Sequence, residues 1–247
     1  MPSDPILSVR NVSKTFGAVQ ALNRVSFDVA PGQVVAVAGD NGAGKSTIIK
    51  AISGVLRHDE GEILLGGTPI DFATPQEARD NGIETIYQDL ALADNLSIGE
   101  NIFLGREPKR KLFGFLPVLD RKAMAVAAQQ TMASLDFHVT RLNAPVAAFS
   151  GGQRQAIAIG RAIYWNARLV IMDEPTAALG VPEQRRVLAL VKALKAQGKG
   201  VIFISHNLRD IFEVADDIVV FRRGENAGAR QPAATTHDEI VKLMVGG

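Results

Sequence analysis

Gly39-Asp40-Asn41-Gly42-Ala43-Gly44-Lys45-Ser46 satisfies the pattern G-x-x-x-x-G-K-[ST] at every defined position. Its flanks decide what the match means. Before it, Val34–Ala38 is a short apolar run of the kind a parallel strand buries on both faces. After it, Ile48, Ile49, Ile52, Val55 and Leu56 recur at helical spacing and predict a helix with one buried face. A glycine-rich turn between strand and helix can aim its backbone N–H groups at one point, and the positive end of the helix dipole faces the same point. Lys45 brings a full charge to terminal phosphates, and Ser46 offers a hydroxyl to Mg²⁺. The stretch predicts a nucleotide and Mg²⁺ on an α/β fold. Alone, it does not separate kinases, GTPases and transport ATPases.

Moving outward, Leu7 to Val12 and Val19 to Val29 alternate enough to read as strands, with a turn at Pro31-Gly32. Glu62 to Leu65, Ile83 to Tyr87, Leu169 to Met172, Val201 to Ile204 and Ile218 to Phe221 are further strands, the last of these closing the series. From Leu90 to Tyr164 strand signals are scarce; Asp120 can cap a helix carrying Met124, Ala128, Thr131 and Leu135 on one face. A helix from Pro182 to about Gln197 leaves at Gly198. Alternating strands and helices predict a parallel α/β sheet. The early strands form a smaller antiparallel sheet, and the helical middle reads as an inserted lobe.

Asp173-Glu174 ends the buried run Leu169-Val170-Ile171-Met172. Ligands of open α/β sheets collect at strand C-termini, so Asp173 can hold Mg²⁺. Neighbouring side chains on a strand alternate, which sends Glu174 elsewhere, free to deprotonate an attacking water.

Composition narrows the field. The 247 residues contain no cysteine, which excludes disulfides and thiolate metal sites. A net charge of +1 gives no long-range attraction to nucleic acid. No apolar run reaches the ~20 residues needed to cross a bilayer, and Met1 to Arg10 does not read as a signal peptide. Action at a membrane would need another chain to hold this one there.

Phe149-Ser150-Gly151-Gly152-Gln153-Arg154-Gln155 resembles the signature sequence of ATP-binding cassette (ABC) ATPases. Gln88, His206 and Phe16 fall where that family has its glutamine loop, its switch histidine and an aromatic residue against adenine. The resemblance runs from about Leu7 to Phe221, in the family's order. It implies a P-loop (RecA-like) core with an N-terminal antiparallel β subdomain and an inserted helical subdomain. Residues 1–87 and 165–224 would form the core and β subdomain, 88–164 the helical subdomain, and 225–247 a C-terminal tail. It implies ATP bound by Phe16, by Gly39 to Thr47, and by Ser150, Gly151, Gly152 and Gln153. Mg²⁺ would be held by Ser46, Gln88 and Asp173, and catalysis carried by Lys45, Gln88, Glu174 and His206. Ser150 is a good N-cap before bare glycines, so its helix offers a second anion site. In the family that helix closes over ATP held by another cassette, which implies a homodimer with two shared sites. His58, His138 and His237 lack such context and read as surface residues.

The family usually follows its acidic pair with Ser-Ala-Leu-Asp; here Thr176-Ala177-Ala178-Leu179-Gly180 puts glycine in place of the aspartate. Ala178 to Glu183 and Asn95 to Glu107 resemble the ATPases of monosaccharide importers of the fructose, ribose or xylose type, which often carry two fused cassettes where this chain has one. That resemblance implies import of a sugar at the cytoplasmic face of the membrane, through polytopic permease subunits, with a periplasmic or extracellular sugar-binding protein as an indirect partner and no nucleic acid. Lys109-Arg110-Lys111, followed by Leu112, Phe113, Phe115 and Leu116, reads first as a solvated loop clamped onto its own lobe, and otherwise as a contact with the membrane subunit or lipid head groups. Two other functions remain in view. One is a soluble ABC-type ATPase acting on nucleic acid or the ribosome, against which stand the absent heptads and charged linker. The other is a P-loop kinase or GTPase, for which Ser150 to Gln153 would be coincidence.

Overall fold

Alternating residues in Leu7–Phe16 (β1) and Val19–Val29 (β2) pair antiparallel, Leu7 opposite Val29 and Phe16 opposite Val19. Glu60–Leu65 (β4) and Thr68–Ile70 (β5) complete a four-stranded sheet in the order β2-β1-β4-β5. Val34–Ala38 (β3) is buried throughout, as its unbroken apolar sequence requires. It lies in a six-stranded sheet with Ile83–Ile86 (β6), Leu169–Asp173 (β9), Gly200–Ile204 (β10), Asp217–Arg222 (β11) and Glu225–Arg230 (β12), ordered β12-β11-β3-β10-β9-β6. This computed structural model describes residues 4–135, 137, 141–177 and 179–246, so His138 and Ala178 lie outside the described residues.

The described residues divide into two units, one drawn from 1–88, 167–177 and 191–247 and the other from 89–166 and 178–190. Both sheets belong to the first. Its core joins Leu7, Leu22 and Phe27 of the small sheet to Ile171, Ile204 and Phe221 of the large one, together with Ile48 and Ile52 of the helix Lys45–Ile52 (α1). Two expectations need correction here. The helix after the glycine-rich turn stops at Ile52, because Gly54 turns left-handed at φ +72°, and Val55 is left outside it and exposed. Ile218 to Phe221 is not the last strand. β12 pairs antiparallel with β11, Ile218 opposite Arg230, and reads Glu-Asn-Ala-Gly-Ala-Arg, with no apolar alternation to betray it. A closing helix, His237–Val245 (α8), is capped by Thr236 and buries Ile240. The helices Pro75–Asp80 (α2) and Leu208–Val214 (α7) complete this unit.

The second unit packs Ile98–Ile102 (α3), Arg121–Ser134 (α4) and Gly151–Tyr164 (α5) against one another. Asp120 caps α4 as its sequence predicts, accepting from Ala123 N–H. A β-carbon on Gly160 would lie 2.9 Å from Met132 Sδ, so glycine lets α5 approach α4. The stretch read as poor in strands contains two, Lys109–Leu112 (β7) and Leu116–Leu119 (β8), joined as a hairpin. Neither face of it is buried, so no binary pattern marks it. The expected clamp is also absent, for Phe113 and Phe115 project into solvent. The helix Val181–Ala196 (α6) runs through the division between the units.

Candidate functional site

Parallel pairing brings four loops to one edge of the six-stranded sheet. Ile204 lies beside both Val37 and Asp173, and Ile86 beside Met172. The segments after β3, β6, β9 and β10 therefore leave the sheet side by side. They carry, in turn, the glycine-rich loop, Gln88, Glu174 and His206.

The loop is shaped by backbone crowding. A β-carbon on Gly39 would collide with Phe221 O, and one on Gly44 would stand 2.7 Å from Ala21 O. Gly44 holds φ +104°, a conformation that side-chain-bearing residues avoid. Ala43 N–H bonds Asp40 O, and the N–H groups of Thr47 and Ile48 bond Gly44 O. Among the described residues, no hydrogen-bond acceptor meets the N–H groups of Gly42, Gly44, Lys45 or Ser46. Four free donors at a helix start form an anion cradle.

Lys45 is buried, and its Nζ donates to Gly39 O at 2.6 Å and Asp40 O at 2.9 Å. Burial pushes its pKa below the ordinary lysine value, against the pull of Glu174, Asp173 and Asp40. Burial and then the charge of Glu174 push Asp173 upward, against Lys45 and Lys50. In both, burial outweighs the opposite charges nearby.

Glu174 departs from the sequence reading in one respect. β9 ends at Asp173, and Glu174 sits beyond it at φ +51°. A left-handed turn, not strand alternation, sets its direction. Its N–H bonds Ile204 O at 2.9 Å, tying the turn to β10. Its side chain is 16% exposed, with Oε2 2.8 Å from Nδ1 of His206, itself 72% exposed. That Oε2 is buried and takes no hydrogen bond of good geometry, so what joins the two groups is close approach across the strand ends. A positive φ is uncommon for a residue that carries a side chain, and here it brings the carboxylate of one strand end to the imidazole of the next.

Gln88 is exposed directly after Tyr87, whose hydroxyl lies 3.4 Å from Ser53 Oγ beyond the end of α1. Ser46 is exposed and Asp173 half-buried. One hydroxyl, one amide and one carboxylate suit a hard cation that keeps water and phosphate oxygens among its ligands. Among the described residues, no group of three or more His, Asp or Glu side chains forms a cage that would replace them. Phe16, at the end of β1, is 51% exposed, with Lys14 Nζ 5.6 Å from its ring centre.

The second unit holds Ser150 to Gln153. Ser150 Oγ accepts from Gln153 N–H at 3.4 Å, and Gln153 Oε1 accepts from Ser150 N–H at 2.9 Å, closing a capping box. Ser150 and Gly151 are exposed. A β-carbon on Gly152 would lie 2.8 Å from Glu183 Cγ. Arg154 reaches Asp94 at 2.8 Å and Val146 O at 3.2 Å, which orients the start of α5. The sequence reading missed these contacts of Glu183, Asp94 and Arg154; they are tertiary, and no local spacing announces them. A β-carbon on Gly180 would stand 2.8 Å from Glu183 Oε2, the movable end of a long side chain, and Gly180 O accepts from Gln184 N–H at the start of α6.

Residues 22–177 match the family described as ABC transporter. The chain is 47% identical over 249 residues to the fructose import ATP-binding protein FrcA of Rhizobium meliloti, covering 100% of this chain and 96% of that protein. It is 46% identical over 239 residues to the xylose/arabinose import ATP-binding protein XylG of Sulfolobus acidocaldarius, covering 97% and 93%. It is 42% identical over 243 residues to the ribose import ATP-binding protein RbsA of Jannaschia sp., covering 98% of this chain and 46% of that protein, whose length it spans by about half. Among solved structures it resembles MJ1267, an ATP-binding cassette of an ABC transporter, with TM-score 0.83 and 27% identity over 97% of this chain and 98% of that one. The ADP conformation of the same cassette gives TM-score 0.81 at 27% identity, covering 98% and 95%.

Proposed function

The chain belongs to the ABC transporter family, and from that premise we propose that it hydrolyses ATP as a homodimer to drive import of a monosaccharide through a membrane permease. The observation that carries the reading is the shared sheet edge, where the cradle of Lys45, the acidic pair and His206 converge. Phe16 stacks on adenine, a contact worth about 1–3 kcal/mol by analogy with base–aromatic pairs. The loop from Gly39 to Thr47 wraps the phosphates, and Lys45 moves from the loop carbonyls to the terminal phosphate oxygens.

The donor set of Ser46, Gln88 and Asp173 suits Mg²⁺, which when bound neutralises charge on the phosphate oxygens. Glu174 orients a water in line with the γ-phosphate and takes its proton. His206 holds Glu174 in place and donates toward the γ-phosphate. Attack by that water breaks the bond to the β-phosphate, releasing ADP and phosphate. The core of 1–87 and 165–224 supplies this chemistry. From a second copy, Ser150, Gly151, Gly152 and Gln153 of the helical subdomain, 88–164, close over the γ-phosphate.

Among the described residues no helix is long and apolar enough to cross a membrane. We place the chain peripherally at the cytoplasmic face, on polytopic permease subunits that receive sugar from a periplasmic or extracellular binding protein. The sugar class follows the fructose, xylose/arabinose and ribose import relatives. The test is uptake of radiolabelled fructose, ribose and xylose by cells carrying Lys45→Ala in this chain. Loss of uptake of one sugar, with loss of the ATP-induced rise in melting temperature of the purified variant, is expected. Undiminished uptake of all three would overturn the transport reading.

A further inference from the structure

The hairpin of the second unit takes no part in the chemistry above. β7 and β8 pair Lys109 with Leu119, Arg110 with Val118, Lys111 with Pro117 and Leu112 with Leu116, leaving Phe113-Gly114-Phe115 as the turn. Phe113 and Phe115 are 82% and 78% exposed, more than any other large apolar side chain among the described residues. Leu116 and Leu119 of β8 are exposed as well. Lys109, Arg110 and Lys111 are all exposed on β7, so three consecutive cations adjoin an apolar tip in a chain whose net charge is only +1.

The backbone carries a second sign. Phe113 holds φ +52°, where a bulky residue is an outlier and Asn or Gly would sit at less cost. An aromatic ring retained at a strained turn in full contact with water points to a use for the ring.

Water gives such a tip no reward; a bilayer interface does. At about 3.4 Å per residue, the three cations stand roughly 7–14 Å behind Phe113. That separation matches an apolar element sunk about 5–10 Å into the boundary between headgroups and acyl chains, with its charges left at the phosphates. A pocket in a protein partner would have to desolvate three adjacent cations. Among anionic headgroups they stay hydrated and are attracted. We propose that this hairpin docks on an anionic bilayer, Phe113 and Phe115 entering the interface while Lys109, Arg110 and Lys111 meet lipid phosphates. The docking needs neither ATP nor a permease and stands apart from the transport reading.

The test is co-sedimentation of the purified full chain with vesicles of phosphatidylcholine, with and without phosphatidylglycerol. Binding to the anionic vesicles alone, weakening as salt rises, is expected. Replacing all three cations by alanine should lower that affinity on the order of 100-fold, about fivefold per cation. Phe113→Ser with Phe115→Ser should lower it roughly tenfold or more, and both variants should keep wild-type ATPase turnover. Phe113→Asn, which relieves the backbone, should melt no lower than wild type and still bind vesicles more weakly. Equal binding to neutral vesicles, or variants that bind as wild type, would overturn the proposal. So would binding that appears only when the permease is in the vesicle, which would make the hairpin a protein contact.

Discussion

His206 Nδ1 stands 2.8 Å from Glu174 Oε2, across the ends of two neighbouring parallel strands. The pair links a carboxylate at a left-handed turn to an imidazole mostly open to solvent. If they work as one unit, their losses should not add. Glu174→Gln should keep ATP binding and lose hydrolysis by roughly 10²–10⁴-fold. His206→Ala should fall into the same range, and the double variant should be no slower than the slower single one. Phosphate release from saturating ATP measures all three; multiplicative losses would separate the two residues.

Asp173 is held above its ordinary pKa of 3.8 by burial and by Glu174. A carboxyl raised in this way weakens the folded state when ionised. The penalty begins as pH climbs past 3.8 and is complete above the raised value. Asp173→Asn should therefore melt higher than wild type near neutral pH, by about 2 °C for a chain of this length, and show no gain at the acid end. The half-exposed position keeps the effect small. Melting curves of nucleotide-free protein across pH check the sign, and the variant should bind ATP without its dependence on Mg²⁺.

The capping box of Ser150 and Gln153 leaves the start of α5 exposed. Ser150→Arg should block ATP-dependent dimerisation in a Glu174→Gln background, seen as monomer in size-exclusion chromatography with ATP. Ser150→Ala should cost about 1 kcal/mol in stability through the lost cap. An arginine variant that dimerises normally would remove the shared-site arrangement.

Gly180 faces Glu183 Oε2 at 2.8 Å from where its β-carbon would be. Gly180 O also accepts from Gln184 N–H at the start of α6, so Gly180→Asp gains a capping carboxylate, opposed by a screened repulsion from the movable Glu183 carboxylate. Urea denaturation should place the variant within about 0.5 kcal/mol of wild type, and adding Glu183→Gln should raise its stability. A loss above about 1 kcal/mol that Glu183→Gln leaves untouched would point to the backbone at position 180 instead.

The parts of this protein legible in sequence are those whose cause is local. Val34–Ala38 reads as a buried strand because apolar residues with no polar break must be covered on both faces. Asp120 and Ser150 announce α4 and α5 because a short polar side chain next to a helical run satisfies the first N–H groups. The spacing of Gly39, Gly44 and Lys45 likewise specifies a tight turn that leaves N–H groups free before α1, since its geometry is backbone geometry.

Tertiary structure decided the rest. β12 exists because β11 offers a free ladder edge, not because Glu225–Arg230 favours a strand. The hairpin at 109–119 needs no buried face, so its exposed phenylalanines could not be told in advance from a clamp. Glu174 turns toward His206 because Ile204 O captures its N–H across β10, a bond between residues far apart in the chain. Hydrophobic period and cap chemistry are written residue by residue. Ladder edges, close approaches such as Glu183 on Gly152, and the direction of a side chain past a strand end come into being only when distant segments meet.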